Sequence, residues 1–330
     1  MIETPTILIL GAGASYPYGF PLGRKLVEDI LELFPQSNHS DDRIRSANSH
    51  FDIMLGNLDI DISLMNRFSR NLRDSKIDSI DSFLENKDNS EFLAIGKMSI
   101  LYTLHNYEHS NILRLDNWYR ILWNALYVDT KSKDGFKLNK VSIITYNYDR
   151  SLEYYLLSCI KSSYGLDDRE AYVLLSSTIK IVHIHGKIGV FNIENQVAKT
   201  PINMFNTLDY GVKIVDKDKL KLLSNNIKII HDENINESDE LKEANEILMS
   251  TERICFLGFS YATDNMSRLK IDNREGKKVI CGSAFDMTDL EIERIRSKNP
   301  KLLSPFARTE NHIFNKNAKC DEFLKHHFIL

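Results

Sequence analysis

Short strand-like runs punctuate the chain at Thr6–Leu10, which is continuously apolar, and at Val141–Thr145, Ile179–Ile184, Ile227–Ile230, Ile254–Leu257 and Val279–Cys281. Runs this short and rich in β-branched residues suit strands covered on both faces, as in a parallel sheet. Between them apolar residues recur at helical spacing. Leu22, Leu26, Ile30 and Leu33 mark one face of Pro21–Phe34, which Pro35 ends, and Ser151–Lys161, Ser238–Met249 and Thr288–Ser297 are further helical stretches. Strand and helix in alternation predict an α/β fold, a Rossmann-like and mainly parallel sheet.

Between about residues 36 and 139 the pattern changes. Polar segments alternate with helical ones, for example Phe92–Tyr107 and Trp118–Val128, and no strong strand interrupts them. This predicts one domain over 1–330, its sheet drawn from 1–35 and 140–330, with a helical insertion or subdomain at about 36–139. The polar stretch His231–Glu240 reads as a loop leading into a helix, and no internal repeat is evident.

Composition narrows the classes without choosing among them. With 330 residues, 42% hydrophobic and 27% charged, the chain can bury a sizeable core and is far from a disordered composition. A net charge of −4 supplies no overall field to attract nucleic acid or an anionic membrane. Met1-Ile-Glu-Thr-Pro5 has no basic leader character, and the apolar run after it is too short to span a bilayer, so a cytoplasmic protein without membrane contact or direct nucleic-acid binding is expected. The four cysteines, Cys159, Cys255, Cys281 and Cys320, form no C-x-x-C pair, which points away from zinc knuckles and disulfide frameworks; Cys255 and Cys281 lie in apolar runs and read as core.

In parallel sheets ligands bind beyond the carboxyl ends of the strands, so residues just after each run carry the chemistry. Gly11-Ala12-Gly13-Ala14-Ser15 follows a strand and precedes a helix, where small residues let backbone amides approach a phosphate; a tight turn without a ligand is the plainer alternative. Tyr16 stands where the dinucleotide fingerprint has its third glycine, and Glu28 and Asp29 fall within a helix instead of ending a second strand. Both features argue against an ordinary dehydrogenase.

Thr145-Tyr-Asn-Tyr-Asp149 ends the next run, with Asn147 and Asp149 alternating so that both side chains share a direction in extended backbone. An amide and a carboxylate at a strand's mouth suit sugar hydroxyls, and an Asn/Asp turn capping the helix from Ser151 is an equal reading. His183-Ile-His-Gly186 ends another run. Its two histidines share a face yet lack a third metal ligand; His185, beside a glycine, is the better candidate for a general base, with a core histidine as the plain alternative. Leu257-Gly-Phe-Ser-Tyr261 offers Gly258 for close backbone approach and Ser260 as a donor to a phosphate or hydroxyl, or forms a simple turn. His105-Asn-Tyr-Glu-His109 has the His-x-x-Glu-His order of an inverted zinc peptidase and would set both histidines on one helical face, but no third ligand accompanies it and an exposed polar face explains it.

Taken together, these strand ends resemble the sirtuin-like family. Gly11-Ala-Gly-Ala-Ser15 with Gly19-Phe20-Pro21, Asn147-Tyr-Asp149, His185-Gly186 and Gly258-Phe-Ser260 follow that family's order. The likeness covers the sheet-forming parts and not the stretch between Gln36 and Asn139. The two C-x-x-C pairs of protein-deacylating sirtuins are missing, and Tyr146 replaces the glutamine before the asparagine. These departures, with Ser79-Ile-Asp-Ser-Phe-Leu84, look like the bacterial sirtuin-like NADases of anti-phage defence.

The resemblance implies hydrolysis of NAD, bound as substrate and without metal, to nicotinamide and ADP-ribose. It implies that Asn147 and His185 are catalytic, that Gly11, Ala12, Gly13, Ser15, Phe20, Pro21, Gly258 and Ser260 hold the dinucleotide, and that Asp149 stands near the nicotinamide end. Asp81 is a family-like position whose role is open. It further implies control by self-assembly or by a separate activating protein, such as a HerA-type ATPase or an Argonaute, in an abortive-infection system. A non-catalytic NAD or ADP-ribose sensor and a zinc-free deacylase or ADP-ribosyl transferase are the competing expectations.

Overall fold

The computed structural model describes residues 1–34, 50–85, 87, 89–115, 117–198, 206–229, 238–271, 278–299, 318–328 and 330. Pro35, Ile230 and residues 231–237, which figure in the expectations above, lie outside the described residues. The chain divides into two compact units: Met1–Tyr18 with Asn111–Ile184 and Asn234–Leu330, and Gly19–Ser110 with His185–Glu233.

The first unit is an α/β unit around five parallel strands, β1 (Thr6–Leu10), β2 (Val141–Thr145), β3 (Lys180–His183), β4 (Arg253–Leu257) and β5 (Val279–Gly282). Their order is β3-β2-β1-β4-β5. β1 is buried along its whole length, as its continuous apolar run requires of a central strand. Leu241, Ala244, Leu248, Met266 and Leu269 pack with Ile7, Ile9, Ile144, Phe256 and Ile280 in the core of this unit.

Register places the site. Leu10 pairs with both Thr145 and Leu257, and Thr145 pairs with His183, so the segments after β1, β2, β3 and β4 begin at one level of one sheet edge. Successive strands run outward from β1 to β2 and β3, then reverse to β4 on its other side. The ends of β1 and β4 therefore mark the sheet's topological switch point.

The second unit consists, among the described residues, of helices and connecting segments. Ser90–His105 buries Phe92, Ile95, Met98, Ile100, Leu101 and Leu104 and packs against Lys217–Ser224. Asn89, Asp61 and Asp216 cap their helices by accepting backbone N–H bonds. Phe34, Phe83 and Phe92 surround Phe68. Asp81 lies half-buried in the first turn of Ile80–Glu85.

Two features differ from the sequence expectation. The apolar run at Ile227 forms no strand in its described part: Ile227 and Ile229 are buried, but Lys228 N–H bonds to His185 O without a ladder around it. Burial alone made the run apolar. The compact units also follow boundaries other than 36 and 139. Trp118–Tyr127 packs on Ser151–Tyr164 and Cys320–His326 within the sheet unit, whereas 185–233 joins the helical unit.

Candidate functional site

At the β1 and β4 ends the polypeptide is held backbone to backbone. Gly11 N–H donates to Leu257 O at 3.1 Å and Gly13 N–H to Gly258 O at 2.9 Å. A Cβ on Gly258 would lie 2.1 Å from Ala14 N, and one on Gly11 2.6 Å from Gly258 O. Gly258 also has φ +56°, in the left-handed region that side chains rarely adopt. The glycines thus allow two turns to touch, and the amides of Gly11 and Gly13 are already donated in this conformation.

Neighbours fix this junction from several sides. Trp118 Nε1–H donates to Ala14 O at 2.8 Å, and Tyr119 N–H donates to the Tyr18 hydroxyl, the two tyrosine rings being stacked. Ser283, after β5, accepts from Gly258 N–H at 2.9 Å, and Tyr261 donates its hydroxyl proton to Ser283 O. Burial holds the Tyr261 phenol above its ordinary pKa. Ala12 and Ser260 are exposed.

Side chains organise the β2 and β3 ends. Asn147 donates through Nδ2 to Gly11 O and to Ser15 Oγ, both at 2.9 Å, and through its backbone N–H to Thr145 Oγ1. Its carbonyl O faces His183 Nδ1 at 2.9 Å. Among the described residues nothing donates to Asn147 Oδ1, and the residue is half-buried. A rigid amide with a free acceptor oxygen can orient a hydroxyl or a water.

Ser15 passes the network on by donating to Asp149 Oδ2 at 2.6 Å. Asp149 Oδ1 accepts from the backbone N–H of Ser151 at 3.1 Å and from its hydroxyl, an aspartate turn onto the first residue of the helix Ser151–Tyr164, whose N-cap position is Arg150. Burial pushes the Asp149 carboxyl above its ordinary value; the Ser15 and Ser151 donors oppose that shift, and nearby Glu153 adds to it. Asn147 and Asp149 do converge, on Ser15.

Glu153 and Tyr119 were missed from the sequence. Glu153 Oε1 lies 2.7 Å from His183 Nε2, both residues are buried, and Tyr119 and Ser151 hydroxyls pair at 2.7 Å. Ser15, Tyr119, Asn147, Asp149, Glu153 and His183 line a void of about 10 Å³, roughly the size of one water molecule. A glutamate in a helix's first turn is ordinarily a partner for the helix dipole, and that common role hid this one.

Phe20, Pro21 and His185 belong to the second unit. Phe20 and Pro21 are buried there, with the Phe20 ring tilted against Tyr107. His185 is buried, and its Nδ1 lies 3.4 Å from Lys228 O; a carbonyl only accepts, so Nδ1 carries the proton. Gly186 follows with φ +73°, and a Cβ there would meet Asn226 O at 1.8 Å, so this turn demands glycine.

The His-x-x-Glu-His stretch is no helical metal face. Its helix ends at His105, which is buried with Nδ1 toward Leu101 O; Glu108 is buried and accepts from Gly211 N–H, and His109 is exposed. Among the described residues no group of three or more His, Cys, Asp or Glu could hold a metal ion, and no helix is long and apolar enough to cross a membrane. All four cysteines are free, with Cys255, Cys281 and Cys320 buried. No protein-family model matches the chain, and no curated protein matches it.

Proposed function

We propose that the chain is an NAD glycohydrolase, which cleaves the bond between nicotinamide and ribose to give nicotinamide and ADP-ribose. The observation that carries this reading is Asn147, fixed by three donated hydrogen bonds and one to its carbonyl at the sheet's switch-point edge, with Oδ1 left as acceptor.

Hydrolysis breaks the C1′–N1 bond, and the bonding pair neutralises the pyridinium nitrogen, so nicotinamide leaves without needing a proton. Positive charge grows on the ribose as an oxocarbenium-like centre, and a water adds at C1′ and releases one proton. Asn147 Oδ1 is suited to accept from that water or from a ribose hydroxyl and so to fix the angle of attack. His185 is assigned the released proton on the strength of its motif.

Gly11, Ala12, Gly13, Ser15, Gly258 and Ser260 are the proposed dinucleotide residues, with Phe20 and Pro21 assigned by resemblance and Asp149 assigned there to the nicotinamide end. The void of about 10 Å³ is far below the few hundred Å³ of ligand pockets and has room for about one water molecule. In the proposed setting of anti-phage defence, an uncontrolled NADase would harm its own cell, so assembly or a separate activating protein is proposed as the control.

The test is nicotinamide release from NAD by wild type, Asn147→Ala and His185→Ala, each alone and at concentrations that promote assembly. Loss in both variants supports the reading. NAD bound without cleavage by the wild type would favour a sensor, and undiminished release in both variants would remove the chemistry from these residues.

A further inference from the structure

Among the buried titratable groups that the proposed chemistry leaves unused, Glu153 and His183 stand out, because both lie in the same unit as Asn147, His183 bonds to its backbone and Glu153 bonds to His183. His183 ends β3, Glu153 sits in the first turn of the helix Ser151–Tyr164, and both are buried. His183 Nδ1 faces Asn147 O at 2.9 Å, and its Nε2 faces Glu153 Oε1 at 2.7 Å.

The chemistry of the partners fixes the protons. A backbone carbonyl only accepts, so His183 donates from Nδ1. At 2.7 Å two lone pairs cannot face each other, so a second proton lies between Nε2 and Oε1. The pair is neutral as a whole, which permits its burial, and it aims a donor at the backbone of Asn147, whose side-chain Oδ1 accepts no bond among the described residues.

We propose that Glu153 and His183 form a positioning pair that sets the orientation of Asn147, and through it the direction in which Oδ1 faces substrate. Neither residue touches the reacting atoms. Glu153 holds the imidazole ring, the ring holds the Asn147 carbonyl, and the β2 end, thus fixed, delivers Nδ2 to Gly11 O and Ser15 Oγ. The catalytic consequence rests on the NADase reading; the structural link does not.

Two readouts separate them. In nicotinamide release, Glu153→Ala and His183→Leu are expected to lower kcat by roughly 10- to 100-fold, the scale for removing a partner that orients a functional group, with KM for NAD changed less than about two-fold. Glu153→Gln, which can donate its amide N–H to Nε2, and His183→Asn, which keeps a donor near the Nδ1 position, are expected to restore most of kcat and guard against variants that fail to fold.

The second readout needs no turnover. In ¹⁵N-edited spectra of the full chain, the Asn147 carboxamide protons are expected as two distinct, exchange-protected signals in wild type and Glu153→Gln, and as averaged or exchange-broadened signals in Glu153→Ala. If the wild type cleaves no NAD but the spectra behave so, the NADase reading fails and the positioning link stands. Unchanged Asn147 signals and kcat in Glu153→Ala, or a loss in Glu153→Gln as deep as in Glu153→Ala, would overturn the proposal.

Discussion

At the ends of β1 and β4 the turns are locked by backbone against backbone, whereas at the ends of β2 and β3 they are locked by buried side chains. The first arrangement depends on the absence of side chains at Gly11, Gly13 and Gly258; the second depends on the chemistry of Ser15, Asn147, Asp149, Glu153 and His183. The two halves should therefore fail differently. Added atoms break the first by overlap and strain, while the second tolerates isosteric changes in stability and loses function.

The largest expected effect follows at the junction. Gly258→Ala puts a methyl 2.1 Å from Ala14 N at φ +56°, and strain with overpacking should cost about 3 kcal/mol or more in chemical denaturation. A cost near that of a surface change would show that the junction is not rigid. Next in size is Trp118→Phe, which strands the Ala14 carbonyl and should cost about 1–3 kcal/mol. Thermal unfolding of the pure variant, with nicotinamide release measured in parallel, checks it.

Asp149 gives a pH signature to the other half. Its folded pKa is raised above the model-compound value of 3.8, so the folded state binds the proton more tightly than the unfolded chain. Its contribution is then fully present below that value and is lost as pH rises through the raised one, at up to about 1.4 kcal/mol per pH unit. The difference in unfolding free energy between wild type and Asp149→Asn should fall over that window; a rise would mean that the Ser15 and Ser151 donors outweigh burial. Ser260→Ala, at an exposed position, should change stability by less than about 0.5 kcal/mol.

Much of the sheet unit was legible because a central parallel strand must be apolar on both faces, and β1, β2 and β4 obey this directly. The run at Ile227 obeys it too without being a strand, since periodicity reports burial and not pairing. Boundaries were less legible, because the helix Trp118–Tyr127 carries no mark in sequence that it packs with the sheet unit. Within the site, the convergence of Asn147 and Asp149 was readable from their alternation. The reason for Gly11 and Gly13 was not, since the atom that excludes a side chain there belongs to Gly258, distant in the chain. Glu153 was hidden behind an ordinary helix-start role, and His183 behind the more conspicuous His185-Gly186 pair.

The central claim, that Asn147 is the fixed amide of an NAD-cleaving site, is tested most directly by nicotinamide release from NAD. Purified wild type and Asn147→Ala would be compared at matched concentration and assembly state. The expected result is turnover by the wild type and a fall of about 100- to 1,000-fold in kcat for the variant, the scale for removing one preorganised polar group, with both proteins assayed below the unfolding transition of the variant, which also loses the donor to Gly11 O and Ser15 Oγ. Equal release by both proteins, or NAD bound but never cleaved by the wild type, would contradict it.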